Sequence, residues 1–536
     1  MTRMDAGGGV SVVTTMPLDD KIASLVDHDV PSRLAAKDSG LWGEAARDEA
    51  EIRLGWLDTF EQSHALLPRL DSLKIRLREQ GIDHVVLAGM GGSSLAPEVI
   101  CRTLDVPLTV LDTTSPDTIR QALADRLEST VVVVSSKSGG TIETESLRRA
   151  YAQAFTDAGV KNVGDHFVIV TDSGSPLEQR GTAMKATVFC ADPNVGGRYS
   201  ALTAFGLVPA ALAGVDVAAL LDEAATFAGS LTNATPDNPA VALGAALTVE
   251  PTLSISDDGS GIIGLGDWAE QLIAESTGKD DTGVLPVVLE SPVAPGVRTS
   301  GQVNAVVGGA STMTGDGSSV RLTPPDIAVH GPLGAQFLCW EAATAYAGYL
   351  LQINPFDQPN VAESKDNTNR ILDSGAAIEK PSFVEEHIEA RGTDANNLAQ
   401  ALAQLVEGLS GDDYLAVTAF LDPHSDEYVA QLRALLSRKL TVPVTFGWGP
   451  RYLHSTGQFH KGGRQTGRFL HITGVVEEDI EVPGRAYGFG ELQAAQAQGD
   501  RESLSQKNRP LLHVHLTDRA AGIDQLINAV KELPVQ

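Results

Sequence analysis

The chain has 536 residues, a formal net charge of -29, 42% hydrophobic and 20% charged residues. That length exceeds what one hydrophobic core covers, so two compact units of roughly 150 to 200 residues plus extensions are expected. The acidity excludes a general nucleic-acid binder, and no run of about 18 uncharged apolar residues is available to cross a bilayer.

The N-terminus carries Asp5, three glycines, Asp19 and Asp20 rather than the basic flank and apolar core of a secretory signal. Cys101, Cys190 and Cys339 sit in apolar runs without metal or pairing spacing. They read as core residues of a cytoplasmic protein.

Residues 1 to 75 begin with a Gly/Thr-rich tail and continue as amphipathic helices, including a piece from Glu49 to Leu67, and read as a helical cap. From 76 to 235, short apolar runs at Val85 to Ala88, Leu108 to Leu111, Thr130 to Val134, Phe167 to Val170 and Thr187 to Cys190 alternate with helical patterns. This alternation implies a doubly wound parallel sheet, whose ligands sit at the carboxyl ends of the strands.

Two strand ends are rich in hydroxyls and glycine. Gly89-Met-Gly-Gly-Ser-Ser94 follows the first strand, and Ser135-Ser-Lys-Ser-Gly-Gly-Thr141 follows the third. Glycines let backbone N–H groups turn inward, and a helix starting near Thr141 adds its dipole, which is a recipe for holding phosphate. A polar loop with an N-cap is the alternative for either turn alone. Neither the G-x-G-x-x-G dinucleotide spacing nor the P-loop's Gly-Lys-Ser/Thr is present.

Past the fifth strand, Asn194-Val-Gly-Gly-Arg-Tyr-Ser200 places Arg198 on a loop of close backbone approach, as an oxyanion holder or an inter-domain salt bridge. A second α/β unit is expected over 236 to 480, with strands at Gly261 to Leu265, Val303 to Val307, Leu415 to Phe420, Val442 to Phe446 and Leu470 to Val476. Ser291 to Ser319 reads as an insertion, and 481 to 536 as a C-terminal extension.

Within the second unit, Trp268 to Lys279 reads as a helix closed by Gly278, with Trp268, Gln271, Leu272 and Glu275 on one face. Glu275 either pairs with a base such as Lys279 at i+4 or serves as a general base whose desolvation raises its pKa. Gln358 lies at a Pro-bounded turn before a helix bearing Lys365, and is suited to reading hydroxyls. Arg451 to Lys461 gathers His454, His460 and Lys461; metal, structural and catalytic readings all stand there, although no acidic third ligand has a recognisable spacing.

Together these stretches resemble the phosphoglucose isomerase family, built from two sugar-isomerase (SIS) domains, and most closely the isomerase half of transaldolase/phosphoglucose-isomerase fusions. GMGGSSLAP is similar to G-I-G-G-S-x-L-G-P, SSKSGGTIET to S-K-T-x-T-T-x-E-T, GGRYS to G-G-R-[FY]-S, AESTGK to E-S-x-G-K and FDQPNVAESK to F-D-Q-x-G-V-E-x-x-K. GFGELQAAQAQGD resembles the ending of the fusion subgroup.

The resemblance implies two SIS-type αβα sandwich domains and interconversion of glucose 6-phosphate and fructose 6-phosphate through a cis-enediolate, without metal or organic cofactor. By motif, Gly92, Ser93, Ser136, Lys137, Ser138 and Thr141 would hold the phosphate. Glu275 would move the proton, Arg198 would stabilise the enediolate, Gln271 and Gln358 would orient the sugar, and Lys365 would assist at the ring oxygen or O1. His454, in Leu453-His-Ser-Thr-Gly-Gln-Phe459, would open the ring, with His460 and His330 as rivals.

The motif order departs from the family, since this histidine motif follows the F-D-Q motif, which implies a rearranged second domain. Asn360 and Ala362 also replace the usual Gly/Ala and Glu. The family implies a homodimer with shared active sites, the histidine coming from the neighbour. No transaldolase barrel precedes residue 75, so no aldol transfer is expected. Two other functions fit the motifs less fully: a broader isomerase also accepting mannose 6-phosphate, and a non-catalytic SIS sensor of sugar phosphates.

Overall fold

The computed structural model describes residues 2–297, 299, 301–309, 324–374 and 379–536. Its architecture is a set of mostly parallel α/β sandwiches. The five strands expected in the first unit are all present, at His84–Gly89, Thr109–Leu111, Thr130–Ser135, Phe167–Asp172 and Thr187–Ala191. They form one wholly parallel sheet with Thr130–Ser135 at its centre, paired to His84–Gly89 on one side and Phe167–Asp172 on the other. Val131 to Val134 are at most 1% exposed, because helices cover both faces of this strand.

Beyond residue 235 the strands divide between two sheets rather than the single second unit expected. Thr252–Asp258, Leu285–Val288, Gln302–Gly308 and Ile327–His330 form the parallel part of the second sheet. Tyr414–Phe420, Val444–Trp448, Gly467–Gly474 and Leu511–Leu516 form the parallel part of a third. The third sheet has its own core around Leu415, Val417, Leu470, Ile472 and Val514. What reads as a C-terminal extension therefore supplies a strand of that sheet and two helices, Phe489–Gln506 and Arg519–Glu532.

Other expectations are corrected by pairing and burial. Thr2–Met4 and Ser11–Thr14 form a hairpin that extends the second sheet, so the N-terminal tail is not only a helical cap. Glu49 to Leu67 is broken into short turns and helices instead of one piece. Gly261 to Leu265 is not a strand; it leads into helix Leu265–Thr277, with the strand lying earlier at Thr252–Asp258. Within the supposed insertion, Gln302–Gly308 is an inner strand, and 310–319 lies outside the described residues. Cys101 and Cys339 are buried, but Cys190 is exposed, since it sits on the edge strand Thr187–Ala191 with its thiol 3.5 Å from Glu178. All three thiols are free.

The third unit docks against the first through buried polar contacts. Asp422 accepts hydrogen bonds from Ser115 Oγ at 2.7 Å and Thr118 Oγ1 at 2.6 Å. Arg451 bridges to Asp112 at 2.9 Å and Glu98 at 2.7 Å. This docking carries the histidine-bearing segment after Arg451 to the carboxyl ends of the first sheet. Among the described residues no helix is long and apolar enough to cross a membrane.

Candidate active site

The strands His84–Gly89 and Thr130–Ser135 end side by side, with Gly89 paired to Ser135, so their two turns open into one cleft. In the first turn Gly92 is a steric requirement: a Cβ there would lie 1.9 Å from the carbonyl oxygen of Gly197. That contact seats the Arg198 loop against the turn. Gly91, at φ +54°, is as closely confined, since its Cβ would lie 2.7 Å from Gln271 Nε2 and 2.9 Å from the His454 carbonyl.

In the second turn Gly139 has φ +66°, which a side chain would strain, and the hydroxyls of Ser136 and Thr141 face each other at 2.9 Å. Ser138 Oγ accepts from the Gly140 N–H at 3.3 Å. Thr141 precedes the 16-residue helix Ile142–Asp157, yet its hydroxyl does not cap that helix. The first-turn N–H groups and the positive end of the dipole are thus left for an anion. Lys137 is committed elsewhere: its ammonium pairs with Asp172 at 2.6 Å and reaches the Pro193 carbonyl at 3.3 Å.

Opposite the turns, helix Leu265–Thr277 presents Gln271 and Glu275 from its inner face. Glu275 is 8% exposed, accepts from Gln271 Nε2 at 3.2 Å and lies 3.6 Å from Arg198 Nη1. Its partner is therefore Arg198, not Lys279. Arg198, 3% exposed, donates to Ser276 Oγ at 2.8 Å, Gln358 Oε1 at 2.7 Å, and the carbonyls of Pro355 at 2.7 Å and Asp357 at 2.9 Å. Lys279 holds the same loop from below, donating to the Asn354 and Asp357 carbonyls at 2.6 and 2.7 Å and pairing with the Asp357 carboxylate. Burial, then the nearby Arg198 charge, pushes its ammonium down to about 8.

His454 reaches the cleft from the third unit of the same chain. Its Nε2 meets Glu143 Oε1 at 3.0 Å. Gln496 donates to the same oxygen at 2.7 Å and is itself held by Thr114 Oγ1 at 2.9 Å. Burial works against ionising Glu143, but the charges of His454 and Lys365 outweigh it and hold the carboxyl below its usual range.

The rivals are placed elsewhere. His460 is buried against Tyr414, its Nδ1 3.0 Å from the phenol oxygen, and desolvation lowers it to about 3. His330 ends the strand Ile327–His330, with burial lowering its pKa. Among the described residues no cluster of three metal-ligating side chains converges.

The cleft has a volume of about 420 Å³, and its walls include every residue to which the family motifs assign a role: Gly92, Ser93, Ser136, Lys137, Ser138, Thr141, Arg198, Gln271, Glu275, Gln358, Lys365 and His454. The replaced Asn360 has a use here, because Gln458 of the histidine motif bonds both its N–H and its side-chain oxygen at 2.9 Å. Sequence reasoning missed Glu143, Gln496 and the loop-holding role of Lys279. Glu143 and Lys279 stand inside quoted motifs, and a polar residue conspicuous in a motif but without a task was the available sign. Gln496 gave none.

The paired turns and the facing carboxylate–guanidinium pair stand together at the ends of parallel sheets in an α/β sandwich fold. Residues 75–259 match the family model described as phosphoglucose isomerase. Over that stretch, about a third of its length, the chain is similar to phosphoglucose isomerases. It is 35% identical over 199 residues to a glucose-6-phosphate isomerase of a Cyanothece species, covering 34% of this chain and 37% of that one. It is 30% identical over 259 residues to one of Campylobacter jejuni, covering 46% and 64%. The chain thus spans between about a third and two thirds of the length of the curated relatives it matches. Among solved structures, a hypothetical protein from Thermus thermophilus shares the fold at TM-score 0.52 and 24% identity, over 66% of this chain and 96% of that one. A glucose-6-phosphate isomerase from Chlamydia trachomatis does so at TM-score 0.52 and 17% identity, over 68% and 89%.

Proposed function

We propose that the chain is a glucose-6-phosphate isomerase, interconverting glucose 6-phosphate and fructose 6-phosphate in the cytoplasm as a step of glycolysis and gluconeogenesis. The observation that carries this reading is the Glu275–Arg198 pair at 3.6 Å, set in the same cleft as two hydroxyl-rich turns. The names of the relatives point the same way. The sugar's phosphate sits on Ser93, Ser136, Ser138, Thr141 and the N-terminus of helix Ile142–Asp157. Binding energy collected at that end positions C1 and C2 at the other.

His454, oriented by Glu143 through Nε2, has Nδ1 left to exchange a proton with the ring oxygen as the ring opens, and Lys365 assists at the ring oxygen or O1. Glu275 takes the C2 proton and returns it to C1, and Gln271 beside it limits how the carboxylate turns. The negative charge that develops on the enediolate oxygens is met by Arg198, whose other N–H groups are already fixed to carbonyls, so little reorganisation accompanies the reaction. No step calls on a metal or an organic cofactor.

The cleft walls run from Arg53 to His454 of one chain, which supports a site that a homodimer would not have to share. Specific activity should therefore be unchanged by dilution through any dimer dissociation. Purified protein given fructose 6-phosphate should form glucose 6-phosphate, and Glu275→Gln should lower turnover by about a hundred- to ten-thousandfold, since general base catalysis supplies two to four powers of ten. No turnover by the wild type, or undiminished turnover by the variant, refutes the assignment. Release of mannose 6-phosphate in the same assay would favour the broader isomerase.

A further inference from the structure

The third sheet has two faces of opposite character. Side chains alternate along each strand, so in-register neighbours share a face. One face carries Ala390, Val514, Ile472 and Ala419, all fully buried in the apolar core. The other carries a polar row, Arg391, His513, His471 and Thr418, followed by Glu389, His515 and Thr473. A sheet of this kind is ordinarily apolar on both faces where helices cover it. Here helix Phe489–Gln506 lies over the polar rows and leaves a cavity of about 240 Å³.

Helix positions Gln493, Ala497 and Arg501, spaced i, i+4, i+8, line that cavity together with Arg391, His513 and His515. A second hollow of about 410 Å³ shares Arg391, Arg501 and His513 with it. Several polar nitrogens here lack partners. The Arg501 guanidinium forms no hydrogen bond or ion pair with the described residues. Gln493 Nε2 and His513 Nδ1 are buried without a partner, in side chains only 6% exposed. Thr473 Oγ1 ties His513 Nε2 at 2.8 Å and His515 Nδ1 at 2.9 Å, fixing both rings.

No carboxylate among the described residues pairs directly with Arg501, although Glu379, which lines both hollows, and Asp500 attract its charge. Glu389 is taken by Arg391 at 2.5 Å, and Glu379 is exposed, offering its carbonyl to Arg391 Nε at 3.0 Å. Burial first, and then Arg501, His471 and Arg391, hold His513 well below the usual imidazole range. A half-buried, unpaired guanidinium beside orphaned polar nitrogens is unfavourable unless something completes it. The catalytic cleft makes no use of these residues.

We propose that this cavity is a second ligand site, in which Arg501, Gln493 and His513 bind a small oxyanion carried by a phosphate- or carboxylate-bearing metabolite. Calorimetric titration of the full chain with inorganic phosphate, and separately with malonate, tests it. The Ser136→Ala/Thr141→Ala variant, in which the cleft's phosphate turn is dismantled, should still bind one anion. Adding Arg501→Gln, or independently Gln493→Leu, should weaken that binding at least about tenfold, the loss of one charge-assisted hydrogen bond. Binding of phosphate alone identifies a phosphate-bearing ligand, and binding of malonate as well or instead a carboxylate. Without anion, Arg501→Gln should melt no lower than its parent, because it removes an unpaired charge. Failure of both anions to bind, or binding indifferent to both substitutions, overturns the proposal; so does a lower melting point of Arg501→Gln without anion, which would make Arg501 a structural ion-pair member. Isomerase activity is not read in any arm, so this result is independent of the catalytic assignment.

Discussion

Glu143→Gln tests the contact that orients His454, the proposed ring-opening histidine, through a carboxylate oxygen that Gln496 also holds. The substitution keeps the shape of the side chain and removes its charge, so the bond from His454 Nε2 at 3.0 Å is no longer assisted by a carboxylate. A hydrogen bond to a charged group is worth about 1.5–3 kcal/mol, against about 1 kcal/mol for a neutral one. The net loss of about 0.5–2 kcal/mol falls on the protonated imidazole. Turnover of ring-closed glucose 6-phosphate should therefore fall by about 2- to 30-fold. Glu143 does not reach the reacting carbons, so a substrate without a ring should be spared. Erythrose 4-phosphate, whose ring-forming hydroxyl carries the phosphate, supplies that control. The assay compares steady-state rates on both sugars, with melting curves to show that the variant folds. Equal loss on both sugars would refute the positioning role, and no loss on either would refute His454 as the ring-opening acid.

Gly92→Ala should be among the most damaging small substitutions: the new Cβ would fall 1.9 Å from the Gly197 carbonyl oxygen, so the Arg198 loop must move. Overpacking of this kind destabilises by about 1–3 kcal/mol, and displacement of Arg198 should lower kcat/KM by about a hundredfold; urea unfolding and initial rates measure both, and wild-type activity would show that the two loops need not touch. Half-buried Glu270 gives a pH dependence, because desolvation, then Asp267, pushes its carboxyl up to about 8 from 4.5. The folded state keeps a proton that the unfolded state releases, so this group's contribution weakens as pH rises from about 5 to 8, by at most about 1.4 kcal/mol per unit. Glu270→Gln should flatten the fall in melting temperature between pH 6 and 8, and an unchanged slope would remove Glu270 as its source.

Local chemistry in the sequence determined the first sheet and the contents of the cleft. Val131 to Val134 are so apolar that only an inner strand suits them, and the glycines and hydroxyls after them suit an anion turn or a capped polar loop, between which the companion turn and the other motifs choose. Gly92, Arg198 and Glu275 were legible because their motifs answer to steric and electrostatic demands that act within a few residues.

Tertiary structure decided what depends on partners far along the chain. The strand at Leu415 has the same pattern whether it joins the second sheet or founds a third, and only pairing with Gly467–Gly474 and Val444–Trp448 settles it. Lys279 is at helical spacing from Glu275, yet the carbonyls of a loop some 75 residues away offer it better partners. Nor could spacing show that His454 meets Glu143 within one chain, 311 positions apart, since that contact rests on docking the third unit through Arg451 and Asp422. The physical reason is one of range: backbone preference and alternation are written residue by residue, whereas sheet membership, ion-pair choice and unit docking come from burial and register among segments that meet only once the chain is folded.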